Sequence, residues 1–144
     1  MTGVVLLDSD TLSDLSRGHP RITRHAAAYL EAHGRLTLSA ISVFERLRGY
    51  RAAIARGRPL DGHLRAFVLL GRASIVLPVD AGVADAAASI WAGVGARARG
   101  AVEDILIAAT ASANGIPLVT RNRRDFEPLA RAAPVGLELL DWSR

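Results

Sequence analysis

Four carboxylates stand where they could do chemistry. Asp8 closes VVLLD, Glu45 lies inside SVFERL, Asp104 opens DILIAATA, and Asp125 falls in VTRNRRDF. Each abuts an apolar stretch, and a carboxylate near a core needs neutralisation or a positive partner. Several together repel one another, so a bound divalent cation is the simplest way to keep them ionised. In a chain of net charge +4, such a cluster points to metal-assisted chemistry on a polyanion.

Each acid also has a plain structural reading. Asp8 fits a turn or helix cap, and Glu45 fits a solvated glutamate paired with Arg48 at i,i+3. Asp104 suits the first turn of a helix, where it complements the positive end of the dipole. Glu103 fills that role equally well, which leaves Asp104 free to turn inward along the small-residue face of Ala108 and Ala111. Asp125 fits a cap before Phe126. Arg121, Arg123 and Arg124 beside it offer either ion partners or phosphate contacts.

The elements that must position these groups follow from hydrophobic period. Val4 to Leu7 is a short apolar run ending at Asp8, as in a buried central strand. Ser9 or Asp10 is placed to cap a short helix that ends near Arg17 to Pro20, and a second helix covers Ile22 to Ala32. Leu36 to Leu38 reads as an edge-like strand leading into a helix capped by Ser39. That helix runs to about Ala55 on an apolar stripe of Ile41, Phe44, Leu47 and Ile54. Asp61 marks a fresh N-cap, and Ile75 to Val79 is a strand that Pro78 keeps from a central place. Val83 to Ala98 is an alanine-rich helix, with Gly93 and Gly95 weakening its continuity. Val102 to Ala113 is a helix apolar over most of its circumference, so it must be covered widely. Strands follow at Pro117 to Thr120 and Val135 to Leu140. Gly18, Gly34, Gly57 and Gly115 read as turn or helix-end positions. Alternating strands and helices predict one α/β domain over residues 1–144, its parallel sheet covered on both faces.

Composition removes several function classes. There is no cysteine, hence no disulfide framework or thiolate site. The four histidines form no His-x-x-x-His pair, and no phosphate-binding glycine loop is present. MTGVVLLDSD has neither a basic leader nor a membrane span, so cytoplasmic residence is expected. All eighteen basic residues are arginine, and seven of them lie between Arg46 and Arg72 against the single acid Asp61. Arginine suits phosphate well. With only three Phe, two Tyr and two Trp, an extended base-stacking platform is not expected.

Taken in order, LLDSD, LSAISVFERL, EDILIAATA and LVTRNRRDF resemble the motifs of PIN-domain nucleases, and among them the VapC-type toxins of toxin–antitoxin pairs. The resemblance spans nearly the whole chain. It implies a three-layer α/β/α domain around a mainly parallel sheet of four or five strands. It also implies a magnesium or manganese ion at an acidic centre and endoribonuclease activity on RNA. A homodimer and a small cognate antitoxin inserting near the active site are implied as well. Leu12, Leu15, Ile22, Phe44 and Leu47 offer apolar surface for such assembly. One departure stands out: GARARGAVED brings Gly100 only four residues before Asp104, which shifts the helix start or shapes a different substrate groove.

On this reading Asp8, Glu45 and Asp104 hold the principal ion, some through water, and Asp125 completes the acidic pocket. Thr120 and Asn122 position a water, phosphate or acidic ligand, while Arg121, Arg123 and Arg124 contact RNA phosphates. Two alternatives differ in class. One is a metal-dependent phosphomonoesterase working through an aspartyl phosphate at Asp8. The other is a non-enzymatic RNA-binding protein, which would keep its RNA affinity after acid-to-alanine changes.

Overall fold

The computed structural model describes residues 3–144. Five short strands, β1 (Leu6–Leu7), β2 (Thr37–Ser39), β3 (Ile75–Leu77), β4 (Leu118–Val119) and β5 (Leu139–Leu140), form one parallel sheet in the order β3-β2-β1-β4-β5. Eight helices among the described residues connect and cover it: α1 (Ser9–Ser16), α2 (Pro20–His33), α3 (Ala40–Ala55), α4 (Asp61–Ala73), α5 (Ala81–Gly93), α6 (Ala96–Arg99), α7 (Val102–Ala113) and α8 (Arg123–Ala132). Strand order builds outward from β1 to β3, then returns to place β4 on the other side of β1. This reversal is the topological switch point, where loops leave the sheet in opposite directions and open a crevice.

Side-chain alternation divides the core into two layers. Leu6, Leu118 and Leu139 face α5, α7 and α8, packing with Ile90, Ile107, Phe126 and Leu129. Leu7, Leu38 and Val119 face the other way, onto Leu12, Ile22, Ala26, Tyr29 and Trp142. The two strands at the centre, β1 and β4, are therefore apolar on both faces, as a sheet covered on both sides requires. The expected all-round burial of α7 is found: Ile105 and every residue from Ile107 to Ser112 are buried. Its alanines let α5 approach closely through Ala86 and Ala87.

Several expectations are corrected. Leu36 to Leu38 does not lead to an edge: β2 lies inside the sheet, between β3 and β1. The edge is β3, which ends at Leu77 so that Pro78 interrupts no ladder. The helix expected over Val83 to Ala98 breaks at Val94, whose extended backbone (φ −117°, ψ 164°) lies between Gly93 and Gly95. The last strand shortens to two residues because Gly136, at φ 80°, turns the chain first. Asp61 sits in the first turn of α4 rather than at the cap, which is Leu60. Phe44 is 52% exposed and leaves the core stripe, whereas Leu12 and Ile22, at 2% and 1%, are core and not interface. No helix among the described residues is long and apolar enough to cross a membrane.

Ser39 performs its expected task, accepting the Ser42 N–H at 2.9 Å and so starting α3 at the end of β2. Because Ser39 is fully buried, Ser39→Ala leaves that N–H without its partner. The expected cost is about 1–2 kcal/mol of stability. Urea unfolding checks it: the midpoint falls while the slope with denaturant stays the same.

Candidate active site

The first helix starts on the first acid. Asp8 leaves β1 with extended backbone (φ −79°, ψ 173°), and its Oδ1 accepts the Thr11 N–H at 2.8 Å. It is therefore Asp8, not Ser9 or Asp10, that caps α1. Its own N–H donates to the Val119 carbonyl at 3.1 Å, which binds it to the neighbouring strand. The Thr120 hydroxyl, one residue past β4, also bonds to the carboxylate. Asp8 is 2% exposed, and its burial raises its pKa above the usual aspartate range. The bonds from Thr120 and Thr11 oppose that rise, and the nearby Asp10 charge adds to it.

Thr120 begins a chain of contacts toward the fourth acid. Its Oγ1 accepts the Asn122 N–H at 2.9 Å, and Asn122 Nδ2 donates to Asp125 Oδ2 at 2.9 Å. Asp125 projects from the first turn of α8. Thr120 and Asn122 thus connect two acids through backbone and side chain. From the opposite side, Glu45 on α3 accepts the Ser9 hydroxyl through Oε1 at 2.6 Å.

Asp104 lies at the electrostatic centre. Its pKa is pushed up to about 6, first by burial and then by the charges of Glu45, Asp125, Asp10 and Asp8. The other three expected acids, Asp8, Glu45 and Asp125, thus all bear on Asp104. Asp10 and Ser9 were not expected as part of the site. Asp10 adds a fifth negative charge, and Ser9 orients Glu45. Their signal was their adjacency to Asp8 in LLDSD.

The arginines of the 121–124 turn divide. Arg121 Nε reaches the buried Asp14 at 2.6 Å. Arg123 pairs with Glu127 at 3.6 Å and donates to the Leu139 carbonyl at 3.2 Å. Only Arg124 of the three lines the cleft of about 470 Å³ that opens beside Asp104 and Asp125. The departure in GARARGAVED forms the facing wall of that cleft, as Gly95 to Ala98 and Ala101.

The donor set suits a hard divalent cation: it is all oxygen, its acids repel one another, and the most buried acid is held by hydroxyl and amide groups rather than by a cation. Among the described residues no three acidic or histidine side chains draw close enough to form a ready-made cage.

Fold and site together define a doubly covered parallel α/β domain with a carboxylate cluster at its switch point. The chain belongs to the PIN domain family, whose pattern it matches over residues 5–132, as the motif order in the sequence led one to expect. Its fold is similar to that of VapBC-1 from nontypeable Haemophilus influenzae, with a TM-score of 0.74 at 21% identity over 99% of this chain and 100% of that one. The DNA-bound VapBC of Salmonella typhimurium gives a TM-score of 0.70 at 24% identity, covering 98% and 99% of the two chains. A toxin–antitoxin complex from Klebsiella pneumoniae gives 0.61 at 22% identity, covering 85% and 89%. No curated protein matches the sequence.

The raised pKa of Asp104 has a thermodynamic consequence. Its folded state binds a proton more tightly than the unfolded chain, so stability falls as pH rises from about 3.8 to about 6. Asp104→Asn removes that loss and stabilises the metal-free protein above pH 6. The expected gain is on the order of 1 kcal/mol, because solvent at the partly exposed carboxyl screens much of the effect. Below pH 4 the two proteins converge. Thermal unfolding across pH 3.5 to 8 in EDTA checks this, and a gain independent of pH would contradict it.

Proposed function

We propose that this chain is a VapC-type ribonuclease toxin, a magnesium- or manganese-dependent endoribonuclease restrained by a small cognate antitoxin. The observation that carries this reading is the gathering of Asp8, Asp10, Glu45 and Asp125 around Asp104, at the switch point of a PIN domain. Asp8, Glu45 and Asp104 would hold the ion, with Asp125 completing the pocket. A bound divalent ion supplies water activation and neutralises charge on the phosphoryl oxygens. The chain's own groups do the positioning. Ser9 fixes the Glu45 carboxylate, Thr120 and Thr11 fix that of Asp8, and Asn122 fixes that of Asp125. Asp104, whose carboxyl pKa is pushed up to about 6 by burial and by its acidic neighbours, is the group whose repulsion a bound cation would most relieve.

Phosphomonoester transfer through Asp8 is the weaker reading. Its carboxylate is 2% exposed and already accepts bonds from Thr11 and Thr120, which leaves it poorly placed for in-line attack. A protein partner is supported by a groove of about 380 Å³ between α3 and α4, lined by Leu64, Val68 and Leu69 and by Arg51, Arg65 and Arg72, with Leu69 63% exposed. The fold similarity to the Klebsiella pneumoniae toxin–antitoxin complex supports the same conclusion. Residence in the cytoplasm, beside the RNA, belongs to this proposal.

The test is cleavage of total cellular RNA with EDTA, magnesium or manganese. Wild type cleaves only with added metal. Asp8→Asn lowers the rate about 100-fold or more, the equivalent of several kcal/mol of lost metal assistance. Its stability changes by less than about 1 kcal/mol, since Asn caps a helix as well as Asp. Cleavage undiminished in EDTA would reject the mechanism, and intact RNA under every condition would favour the non-enzymatic alternative.

Assembly is tested separately. Phe44, Trp91 and Val102, at 52%, 46% and 50% exposure, give the chain apolar surface that a homodimer would cover. Light scattering over a range of concentrations is expected to give twice the 15.3 kDa chain mass. A strict monomer throughout would contradict the dimer.

A further inference from the structure

Two arginines in the active-site cleft have no partner of their own. Arg97 on α6 and Arg124 on α8 both line the cleft of about 470 Å³, together with Asp104 and Asp125. Neither makes an ion pair or side-chain hydrogen bond among the described residues, although carboxylates share their cleft. Their neighbours are committed. Arg48 pairs with Glu103 at 3.2 Å, and Arg121 and Arg123 hold Asp14 and Glu127. The sequence pair in ARAR splits in the same way. Arg99 turns back, donating to the Trp91 carbonyl at 3.0 Å and lying 4.1 Å over the Trp91 ring, whereas Arg97 faces the cleft.

An unpaired guanidinium beside an acidic centre is suited to an anion held next to, and not at, that centre. Its planar fork matches two oxygens of one phosphate. The rest of the lining is aliphatic, with Ala96, Ala98, Pro128 and Leu129, so a sugar or base can lie against it without aromatic stacking. The volume falls in the range of clefts that take one small ligand, about 300–1000 Å³, enough for about one nucleotide.

We propose that Arg97 and Arg124 form a phosphate clamp for the nucleotide adjoining the scissile bond of a single-stranded RNA. Resting on the ribonuclease reading, it makes the α6 segment, where this chain departs from the common pattern, a substrate-gripping element. It binds backbone phosphate and carries no base preference.

The experiment measures binding of a fluorescent single-stranded RNA oligonucleotide by anisotropy in EDTA at several salt concentrations, with no cleavage required. Arg97→Gln and Arg124→Gln are each expected to weaken binding about 10-fold and to reduce the salt slope by about 0.7, the share of one single-strand phosphate contact. Arg97→Lys recovers the slope but not the whole affinity, because it keeps the charge and loses the fork. Arg58→Gln is the control. It lies beyond the far end of the 16-residue α3, about 24 Å from the rim, and changes neither quantity. With metal, Arg97→Gln raises KM and leaves kcat within about twofold. Affinity and slope unchanged in Arg97→Gln, or lowered equally in Arg58→Gln, would overturn the clamp. RNA cleavage by wild type with unchanged KM in Arg97→Gln would overturn the clamp and leave the nuclease reading intact. Arg97-dependent binding without cleavage by wild type would overturn the nuclease reading, and with it the clamp's place beside a scissile bond, leaving only a phosphate-binding arginine.

Discussion

The carboxylate of Asp8 sits one residue past the central strand, at 2% exposure, in a place where a lone charge would be costly. It persists there because the fold meets it from three directions. Its N–H continues the β1–β4 pairing through Val119, its side chain closes the first turn of α1 on Thr11, and the Thr120 hydroxyl reaches it from the adjoining strand. Sheet register, helix start and site geometry are therefore one constraint. Moving Asp8 would disturb the joint between the two strands at the switch point as well as the charge it carries.

Around that anchor, charge is sorted rather than balanced. The acids gather inward, and most arginines near them are tied to other groups. Asp14, for instance, takes Arg121 at 2.6 Å and Arg17 at 3.9 Å, drawing positive charge away from the cluster. Asp104 consequently bears the repulsion of four other carboxylates with no compensating cation. The carboxylate cluster is strained electrostatically, and a bound divalent ion would relieve that strain. Gathering like charges in this way costs the fold stability.

The α1 helix is the polar counterpart to this arrangement. Ser9, Ser13 and Ser16 recur at helical spacing on one face, toward α3. Ser9 meets Glu45 at 2.6 Å, while Arg46 donates to Ser13 at 2.8 Å and to Ser16 at 3.2 Å. Arg46 also lies 5.0 Å from the Tyr50 ring centre and 5.6 Å from that of Phe67, binding α4 to the same joint. Consecutive residues of α3 thus divide the work: Arg46 holds the helix in place, and Glu45 faces the site.

By itself the sequence determined what depends on local pattern. Apolar runs ending in acids located β1 and its Asp8, Ser39 announced the start of α3, and the all-round apolar character of 102–113 required a buried helix. The order of four short motifs carried the family. What only the tertiary structure decided depends on contacts between distant segments. Whether β2 or β3 forms the edge is set by crossover connections, which hydrophobic period does not encode. Phe44 fell outside the core because burial follows the neighbour a helix face meets, not the stripe alone. Asp10 entered the site because the switch point folds its turn beside Asp104, nearly a hundred residues away. Five arginines that look alike in RAR and TRNRRD took different roles, since a guanidinium pairs with whatever carboxylate or carbonyl the fold brings within reach.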